Sequence, residues 1–254
     1  MNQDFVNFIF SLQVGLKKFN LKKINKFQSK QRKKVDPVTQ LDIKIEKFIR
    51  SKIRSKFPNH SIFGEELPDE LNDKDFKWYI DPIDGTKNYL MGLPTWSNLV
   101  GLYKKNEPLI GFANFPDLNK FYFSNKKKAY LVENKKKKLI KSSKKKEIKG
   151  TKIAMNTFNT IKIKKIYNFF KSYKGIFRIT GSDAYNFCLV AEGKIDGLIE
   201  SGLKKVDILP LVSILDSSGA IITNWKGQRN FSDGKILVSG NKILHRKLLK
   251  IVRI

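Results

Sequence analysis

Cysteine is almost absent from the sequence, because Cys188 is the single one among 254 residues. One cysteine cannot form a disulfide within the chain. Its neighbours in "NFCLVAEG" are apolar and have a helical pattern, so we expect a buried packing residue rather than a nucleophile. Histidine is nearly as rare. His60 and His245 both lie outside the motifs described below, which favours packing or surface roles for them.

Long apolar runs are also missing, and none reaches the roughly 18 residues that a membrane-spanning helix needs. The first segment, "MNQDFVNFIFSLQVGLKKFN", lacks the basic leader that a signal peptide carries before its apolar part. We therefore predict a cytoplasmic protein without a membrane partner. The apolar residues of this segment recur at the spacing of an amphipathic helix: Phe5, Phe8, Leu12, Leu16 and Phe19.

Acidic residues are few, at 23 Asp and Glu against 51 Lys and Arg, which gives a formal net charge of +28. Such a charge fits either a nucleic-acid or anionic-membrane partner, or a composition biased toward lysine. The clusters "NKKKAYL", "ENKKKKLI" and "SSKKKEIKG" fall in or beside predicted loops, with no aromatic residues between the lysines on which bases could stack. We expect a lysine-biased surface that attracts anionic substrates, and no nucleic-acid partner.

What the sequence does contain is 41% hydrophobic residues, in a length that suits one large domain or two small ones sharing a core. In the first half, "DPVTQLDIKIEKFIRSKI" predicts a helix with Thr39 as its cap and Asp42 as the acid of a capping box. Strands follow, among them "KWYIDPIDGT", "WSNLVGLYKK" and "PLIGFANFP". The predicted buried stripe of the helix comprises Leu41, Ile45, Phe48, Ile49 and Ile53.

The second half alternates strands and helices, which is typical of an α/β domain. "SDAYNFCLVAEG" predicts a helix with Ser182 as its cap, and "DILPLVSILDSSG" predicts one that begins at Asp207. The lysine-rich stretch "NKKKKLIKSSKKKEIKG" is the best internal boundary. It predicts an N-terminal α+β domain at residues 1–148 and a C-terminal α/β domain at residues 149–254.

Two aspartates stand three residues apart in "WYIDPIDGTKNYLMGLP", where a predicted strand ends. Asp81 lies at the strand end, Pro82 stiffens the turn, and Gly85 lets the backbone approach a ligand closely. Carboxylates of Asp81 and Asp84 on a rigid turn, with the freed carbonyl of Ile83, suit a hard cation such as Mg2+. A turn with solvated acids is the alternative that this motif leaves open by itself.

Other acids could join such a site if the fold brings them together. Glu65 and Glu66 end the strand-like segment "HSIFGEE", and Asp207 stands at the start of a predicted helix. Asp207 has an alternative role as a helix N-cap, as Asp42 has in its capping box. Sequence spacing does not decide whether these segments meet in space.

The motifs "GEE", "DPIDGT" and "GLKKVD", in this order, resemble those of the inositol monophosphatase family, and the resemblance extends from "DPVTQLD" to "SGNKILHRKLL". It implies a layered αβαβα sandwich of the inositol monophosphatase and fructose-1,6-bisphosphatase type. It also implies a Mg2+-dependent, lithium-sensitive phosphate monoesterase with two or three ions per site, commonly a homodimer. The substrate would then be a small phosphorylated molecule.

The same resemblance implies a role for each residue of the matched motifs. Asp42, Thr86 and Glu65 would be the catalytic residues, with Asp42 and Thr86 positioning the attacking water and helping to deprotonate it. Gly85 and Thr86 would bind the phosphate through their backbone groups. The implied metal ligands are Glu65, Asp81, the carbonyl of Ile83, Asp84 and Asp207.

Within the family, "DPIDGTKNYLMGLP" and "GSDAYNFCLVAEGKIDGLIESGLKKVDILPLV" resemble the histidinol-phosphatase branch of histidine biosynthesis. This implies that Asp183 pairs with the substrate amine and that Glu200 faces the same pocket. The alternative role of Asp183 is stabilisation of a helix N-terminus. Val206 departs from the pattern, since Trp or Tyr usually precedes the aspartate there. The second hypothesis is a phosphatase of broad inositol- and sugar-phosphate specificity. A third hypothesis, from another class of function, is a basic nucleic-acid-binding protein with this fold.

Overall fold

Two large β-sheets lie between three layers of helices in the computed structural model of the chain, which describes residues 2–19, 28–31, 34–38 and 40–253. Helices α1 (Asn2–Leu16) and α2 (Gln40–Lys56) pack on one face of the first sheet. A small hairpin, β1 (Gln28–Gln31) and β2 (Lys34–Val38), stands between these helices in the sequence. Apolar residues of the two helices are buried against the sheet, as their helical spacing requires.

The first sheet has seven strands in sequence order, with β3 parallel to β4 and every other pair antiparallel. Strands β5 and β6 are buried along nearly their whole length, because helices cover both faces of the sheet. The strands are β3 (Ser61–Gly64), β4 (Phe76–Asp84), β5 (Ser97–Lys104), β6 (Glu107–Phe115), β7 (Lys120–Ser124), β8 (Ala129–Glu133) and β9 (Lys136–Ile140). The short helix α3 (Thr86–Met91) follows β4.

The second sheet has five strands in the order β11-β10-β12-β14-β13. Its strands are β10 (Lys152–Met155), β11 (Ile176–Ile179), β12 (Gly197–Glu200), β13 (Ile221–Asn224) and β14 (Ile236–Ser239). The helices of this half are α4 (Phe158–Ile161), α5 (Lys164–Lys171), α6 (Asp183–Ala191), α7 (Lys205–Ser218) and α8 (Lys242–Val252). Helices α5 and α8 cover its outer face, while α6 and α7 share one hydrophobic core with both sheets.

The predicted layered αβαβα sandwich is therefore confirmed. The close approach of α7 to the first sheet depends on two glycines that pair across β5 and β6. A Cβ at Gly101 would lie 2.6 Å from Pro210 Cα, and one at Gly111 would lie 2.4 Å from Pro210 O. Because the first turn of α7 carries Asp207, this packing places a candidate site residue. The division at residues 148 and 149 stays a prediction.

Helix α2 begins at Gln40, the start that a cap at Thr39 requires, although Thr39 itself lies outside the described residues. Strand β2 ends directly before it, at Val38. The buried stripe holds Leu41, Ile45, Ile49 and Ile53 as expected, whereas Phe48 is only partly buried. Three charged residues are buried on the same helix, and they matter for the site below: Asp42, Glu46 and Arg50.

A strand also forms inside the lysine-rich stretch that the sequence assigns to a loop. Strand β9 pairs antiparallel with β8 after a tight turn in which Asn134 and Lys135 both have positive φ. Asparagine tolerates this left-handed backbone, which two-residue hairpin turns need. The lysines of β9 are exposed at the edge of the sheet. The lysine-rich composition therefore predicted a loop, although the turn residues before it favour a hairpin strand.

The rare residues have packing roles, as predicted. His60 stacks between the rings of Phe57 and Phe76, and its Nδ1 accepts a hydrogen bond from Trp78 Nε1 at 3.0 Å. His245 and Cys188 are buried. In the part of the chain that the structure describes, no helix has both the length and the apolar character of a membrane span.

Candidate active site

The Asp81–Asp84 motif lies within strand β4 rather than beyond its end, which corrects the expected position of the turn. Strand β4 continues to Asp84, and its register with β5 shifts between Asp81 and Asp84. Such an irregularity redirects side chains without ending the strand. Pro82 O accepts a 2.6 Å hydrogen bond from Asn98 Nδ2, and Asn98 Oδ1 in turn accepts one from Asn114. Two buried asparagines of the neighbouring strands thus fix this part of the backbone.

Gly85 and Thr86 turn the chain from β4 into α3. Gly85 has φ +76°, a left-handed conformation that favours glycine, and caps the N-terminus of α3. Thr86 Oγ1 donates a 3.1 Å hydrogen bond to Ile83 O, so the predicted carbonyl ligand and the predicted catalytic hydroxyl are adjacent. Both residues therefore lie directly beside the two aspartates.

Three carboxylates from separate elements meet at this place. Ligand oxygens of Glu65, Asp81 and Asp207 all lie within 4.8 Å of one another, an arrangement that could hold a metal ion. Glu65 follows β3, Asp81 belongs to β4, and Asp207 lies in the first turn of α7. Parallel pairing of β3 with β4 brings Glu65 beside the motif. This grouping of Glu65, Asp81 and Asp207 is called the carboxylate cluster below.

Lys204, which directly precedes α7, contacts two members of the carboxylate cluster. Helix α7 begins at Lys205 and not at Asp207, so the expected N-cap role of Asp207 is wrong: Lys204 is the N-cap residue, and its backbone N–H donates to Asp207 Oδ2 at 2.7 Å, the contact of a capping-box acid. Its side-chain Nζ donates to Glu65 Oε1 at 2.9 Å. Sequence analysis did not identify this ion pair, because 139 residues separate its members.

Asp84 and Asp42 lie close to the carboxylate cluster. Asp84 is buried and accepts a 3.3 Å hydrogen bond from the backbone N–H of Ala184, in the first turn of α6. Ser182 is the N-cap residue of α6, as expected, but its hydroxyl donates to Thr95 Oγ1 at 2.6 Å, and Asp84 supplies the side-chain acceptor at this helix end instead. Asp42 is almost fully buried and its charge acts on Asp81.

The electrostatics of the metal-free protein are unfavourable to ionised acids. Burial, followed by the charge of Glu65, raises the pKa of Asp81 well above its ordinary value. Burial, followed by the charge of Asp183, does the same to the pKa of Asp84. Burial also raises the pKa of Asp207 to about 7, against the hydrogen bond from Lys204. A bound cation would reverse this effect, since it favours the carboxylate form.

One observation that does not depend on the motif shows that these residues suit a divalent cation. Asp81 Oδ1 is buried and has no hydrogen-bond partner. Buried polar atoms are normally paired, because leaving one unpaired costs free energy. An all-oxygen set of carboxylates and a backbone carbonyl is the kind that hard cations prefer.

Asp183 and Glu200 lie on the α6 side of the same group of acids. Burial raises the pKa of Asp183 to about 6, against the hydrogen bond to Asn156. Glu200, at the end of β12, is fully buried; Oε1 accepts from Asn186 Nδ2 at 3.2 Å, and Oε2 has no partner. Burial and the charge of Asp183 raise the pKa of Glu200. The two predicted substrate residues thus act on each other electrostatically.

Two buried charges that sequence analysis missed support the position of Glu65. Glu46 accepts hydrogen bonds from the backbone N–H groups of Glu66 and Leu67, at 2.8 and 3.2 Å. Arg50 donates to Leu67 O and Pro68 O, both at 3.0 Å, and pairs with Glu46 at 2.8 Å. Glu46 and Arg50 follow Asp42 by four and eight residues on the same helix. This spacing places all three on one helix face and could have predicted that they lie near the site.

Comparisons with known proteins agree with this architecture. A family model described as the inositol monophosphatase family matches residues 5–254. A fructose-1,6-bisphosphatase/inositol-1-monophosphatase of Aquifex aeolicus is 32% identical over 239 residues, covering 93% of this chain and 89% of the relative. A histidinol-phosphatase of Chlorobaculum parvum is 26% identical, covering 85% and 83%. The solved structure of an IMPase from Thermotoga maritima has a TM-score of 0.84 at 25% identity, covering 98% and 96%.

Proposed function

Because the chain belongs to the inositol monophosphatase family, we propose that it hydrolyses small phosphate monoesters with Mg2+ as its cofactor. The observation that carries the proposal is the buried, unpartnered Asp81 Oδ1 among carboxylates from three separate elements. Such a group of acids repels an anionic substrate unless cations reverse the local charge. The chemistry of the donor set therefore points to a hard divalent cation.

The proposed Mg2+ site uses side chains and one backbone group of this chain. Bound Mg2+ would offset the negative charge, attract phosphoryl oxygens and lower the pKa of a nearby water. The proposed arrangement holds two or three ions, as the family resemblance implies. The ligands would be Glu65, Asp81, the carbonyl of Ile83, Asp84 and Asp207.

Thr86 and Asp42 are the proposed residues that orient the attacking water. The Thr86 hydroxyl donates its own proton to Ile83 O, which leaves its oxygen as an acceptor for water. Asp42, which is buried and whose charge acts on Asp81, would accept the proton that the water loses. Backbone N–H groups of Gly85 and Thr86 would bind the phosphate where α3 begins. We propose direct attack by water, without a covalent phosphoenzyme.

Asp84→Asn tests this chemistry. Asparagine keeps the shape of the side chain and can still accept the hydrogen bond from Ala184 N. We expect turnover to fall to background with the fold intact, because a ligand charge is lost. The measurement is phosphate release with Mg2+ and with EDTA, beside circular dichroism. Asp216→Asn, which removes a charge paired with Arg229 at a separate place on α7, is the matched control and should keep its activity. Near-normal turnover in Asp84→Asn would contradict the proposal.

For the substrate, we propose histidinol phosphate. Asp183 and Glu200 give the proposed pocket two acids next to Asp84, and an acidic group suits a substrate amine through a charge-assisted hydrogen bond. A histidinol-phosphatase is among the relatives, at 26% identity. The second candidate is an inositol- and sugar-phosphate phosphatase. It is favoured by the 32% identity with the Aquifex aeolicus relative and by the raised pKa of Glu200, since a protonated acid suits sugar hydroxyls.

One substrate panel separates the two candidates. Histidinol phosphate, inositol 1-phosphate and fructose 1,6-bisphosphate would be compared by kcat/KM at equal Mg2+ concentration. A clear preference for inositol 1-phosphate would overturn the first choice. Failure to release phosphate from any of the three, together with salt-steep binding to DNA, would instead support the nucleic-acid-binding hypothesis.

A homodimer and inhibition by lithium complete the proposal. Both are expectations that the family resemblance implies. Light scattering after size-exclusion chromatography measures the first, with twice the 29.4 kDa chain mass as the expected result. A lithium titration of phosphate release measures the second.

A further inference from the structure

Lys204 contacts two carboxylates of the carboxylate cluster, a role that the sequence motifs did not predict. Its backbone N–H donates to Asp207 Oδ2, while its ammonium donates to Glu65 Oε1 at 2.9 Å. The two contacts are separable, because a substitution at position 204 removes the ammonium and keeps the backbone donor. The side chain of Glu65 is 15% exposed and that of Lys204 is 52% exposed. The ammonium therefore approaches a mostly buried carboxylate from the solvent side.

We propose that the Lys204 ammonium is a built-in counter-ion that competes with a divalent cation for Glu65. The inference rests on the proposed function only in assuming that the carboxylate cluster binds Mg2+. The ammonium takes up one lone pair of Glu65 Oε1 at 2.9 Å and repels a second cation at the same carboxylate. Binding of Mg2+ at Glu65 therefore weakens or displaces the Lys204 contact.

The geometry permits this exchange at low cost. Half of the Lys204 side chain is already in solvent, and lysine carries its charge on a long flexible stem. The ammonium can therefore return to water without burying itself elsewhere. In the metal-free protein the same ammonium offsets repulsion among Glu65, Asp81 and Asp207. Lys204 stabilises the metal-free state and weakens cation binding by the same contact.

The test compares two neighbouring lysines in the full chain. Lys204→Met removes the ammonium that contacts Glu65. Lys205→Met, also exposed and in the first turn of α7, makes the same change of charge one residue away. After treatment with EDTA, Mg2+ binding is measured by calorimetry. We expect Lys204→Met to bind Mg2+ about two- to fivefold more tightly than Lys205→Met, in line with the loss of a half-exposed ion pair. Lys204→Arg, which keeps the pair, should resemble wild type.

A thermal measurement distinguishes competition from a general charge effect. Without metal, Lys204→Met should melt at a lower temperature than Lys205→Met, and in saturating Mg2+ the two should melt together. In a Glu65→Gln background, Lys204→Met should no longer tighten Mg2+ binding, because the Glu65 carboxylate for which the ammonium and Mg2+ compete is absent.

The inference fails if Lys204→Met and Lys205→Met bind Mg2+ equally, or if Lys204→Met binds it more weakly. Either result in an enzyme that still releases phosphate would refute the role of Lys204 and leave the proposed function intact. Conversely, tighter Mg2+ binding in a protein that hydrolyses no phosphate ester would support Lys204 and refute the proposed function.

Discussion

At the scale of single residues, the candidate site consists of acids whose ionisation opposes folding in the absence of metal. Burial raises the pKa of Asp207 to about 7, above the ordinary value of 3.8. An acid with a raised pKa in the folded state binds more protons there than in the unfolded chain. Its contribution to stability is present below its ordinary pKa and is lost as pH rises through the raised value. Metal-free protein should therefore lose this stability between about pH 4 and pH 7.

This linkage gives a prediction for Asp207→Asn. As pH rises from 5 to 8, metal-free wild type should lose free energy of unfolding relative to Asp207→Asn. The wild-type aspartate ionises in this range, whereas the asparagine cannot. Mg2+ should oppose the decrease, since it binds the carboxylate form. Denaturant unfolding at several pH values, with EDTA and with Mg2+, measures both effects. Parallel pH profiles for the two metal-free proteins would show that Asp207 has an ordinary pKa.

Asp183 gives a second prediction at this scale. Asp183→Asn should lower kcat/KM for histidinol phosphate by about 10- to 100-fold, the worth of a hydrogen bond between charged groups. A phosphate ester without an amine is the matched control substrate, and its kcat/KM should change far less. Equal losses for both substrates would point instead to the helix-stabilising role of Asp183.

At the scale of elements, helix α2 stabilises the loop that presents Glu65. Glu46→Gln removes the buried charge paired with Arg50, while Arg50 keeps Glu70 as a second partner at 2.7 Å, so the free energy of unfolding should fall by about 1–3 kcal/mol. The Mg2+ concentration needed for half-maximal activity should also rise, because glutamine keeps only one of the two oxygens that accept from the N–H groups of Glu66 and Leu67. Arg54→Gln is the control: Arg54 pairs with Glu70 but is 55% exposed, and its loss should cost less than about 1 kcal/mol. Equal costs for the two variants would contradict this role of α2.

The contact between α7 and the first sheet gives another prediction for an element. Gly101→Ala would place a methyl group 2.6 Å from Pro210 Cα, so strand and helix must separate. We expect a loss of about 1–3 kcal/mol in the free energy of unfolding, the usual cost of overpacking. Because Asp207 lies one turn before Pro210 on α7, weaker Mg2+ binding should accompany the loss. Chemical denaturation and calorimetry measure the two effects; unchanged stability would show that the helix adapts.

Elements were predictable from sequence where one local rule dominated. A short apolar run indicated β5, and helical spacing indicated α1 with its buried Phe5, Phe8 and Leu12. Strand β9 was missed because its exposed edge consists of lysines, which mimic a solvated loop. The continuation of β4 through Asp84 was missed because Pro82 normally ends strand pairing.

The site was predictable only as a set of acids in motifs. Their convergence followed from family resemblance, since periodicity carries no information on contacts between distant segments. The Lys204–Glu65 pair and the hydrogen bonds from Glu46 to residues 66 and 67 join parts of the chain that no short-range rule connects. These contacts depend on the packing of α2, α7 and the first sheet, so they required the structure.

At the scale of the whole molecule, the net charge of +28 surrounds a site of opposite sign. A positive surface attracts anionic substrates at low ionic strength, and salt screens this attraction. The screening length falls from about 30 Å at 0.01 M to about 3 Å at 1 M ionic strength. We predict that kcat/KM falls several-fold over this range while kcat changes little. Steady-state kinetics with an inert salt measures this, and a salt-independent kcat/KM would mean that the lysines act only on solubility.

The long sequence separation of the carboxylate cluster has a consequence for synthesis of the protein. Glu65 and Asp81 leave the ribosome early, whereas Asp207 and Lys204 follow more than 100 residues later. A nascent chain therefore carries two acids of the cluster with neither the third acid nor the counter-ion. By the proposed chemistry, a chain that stalls before α7 emerges lacks one acid of the cation site and has no phosphatase activity, so activity appears only after residue 207 has been synthesised and packed against the first sheet.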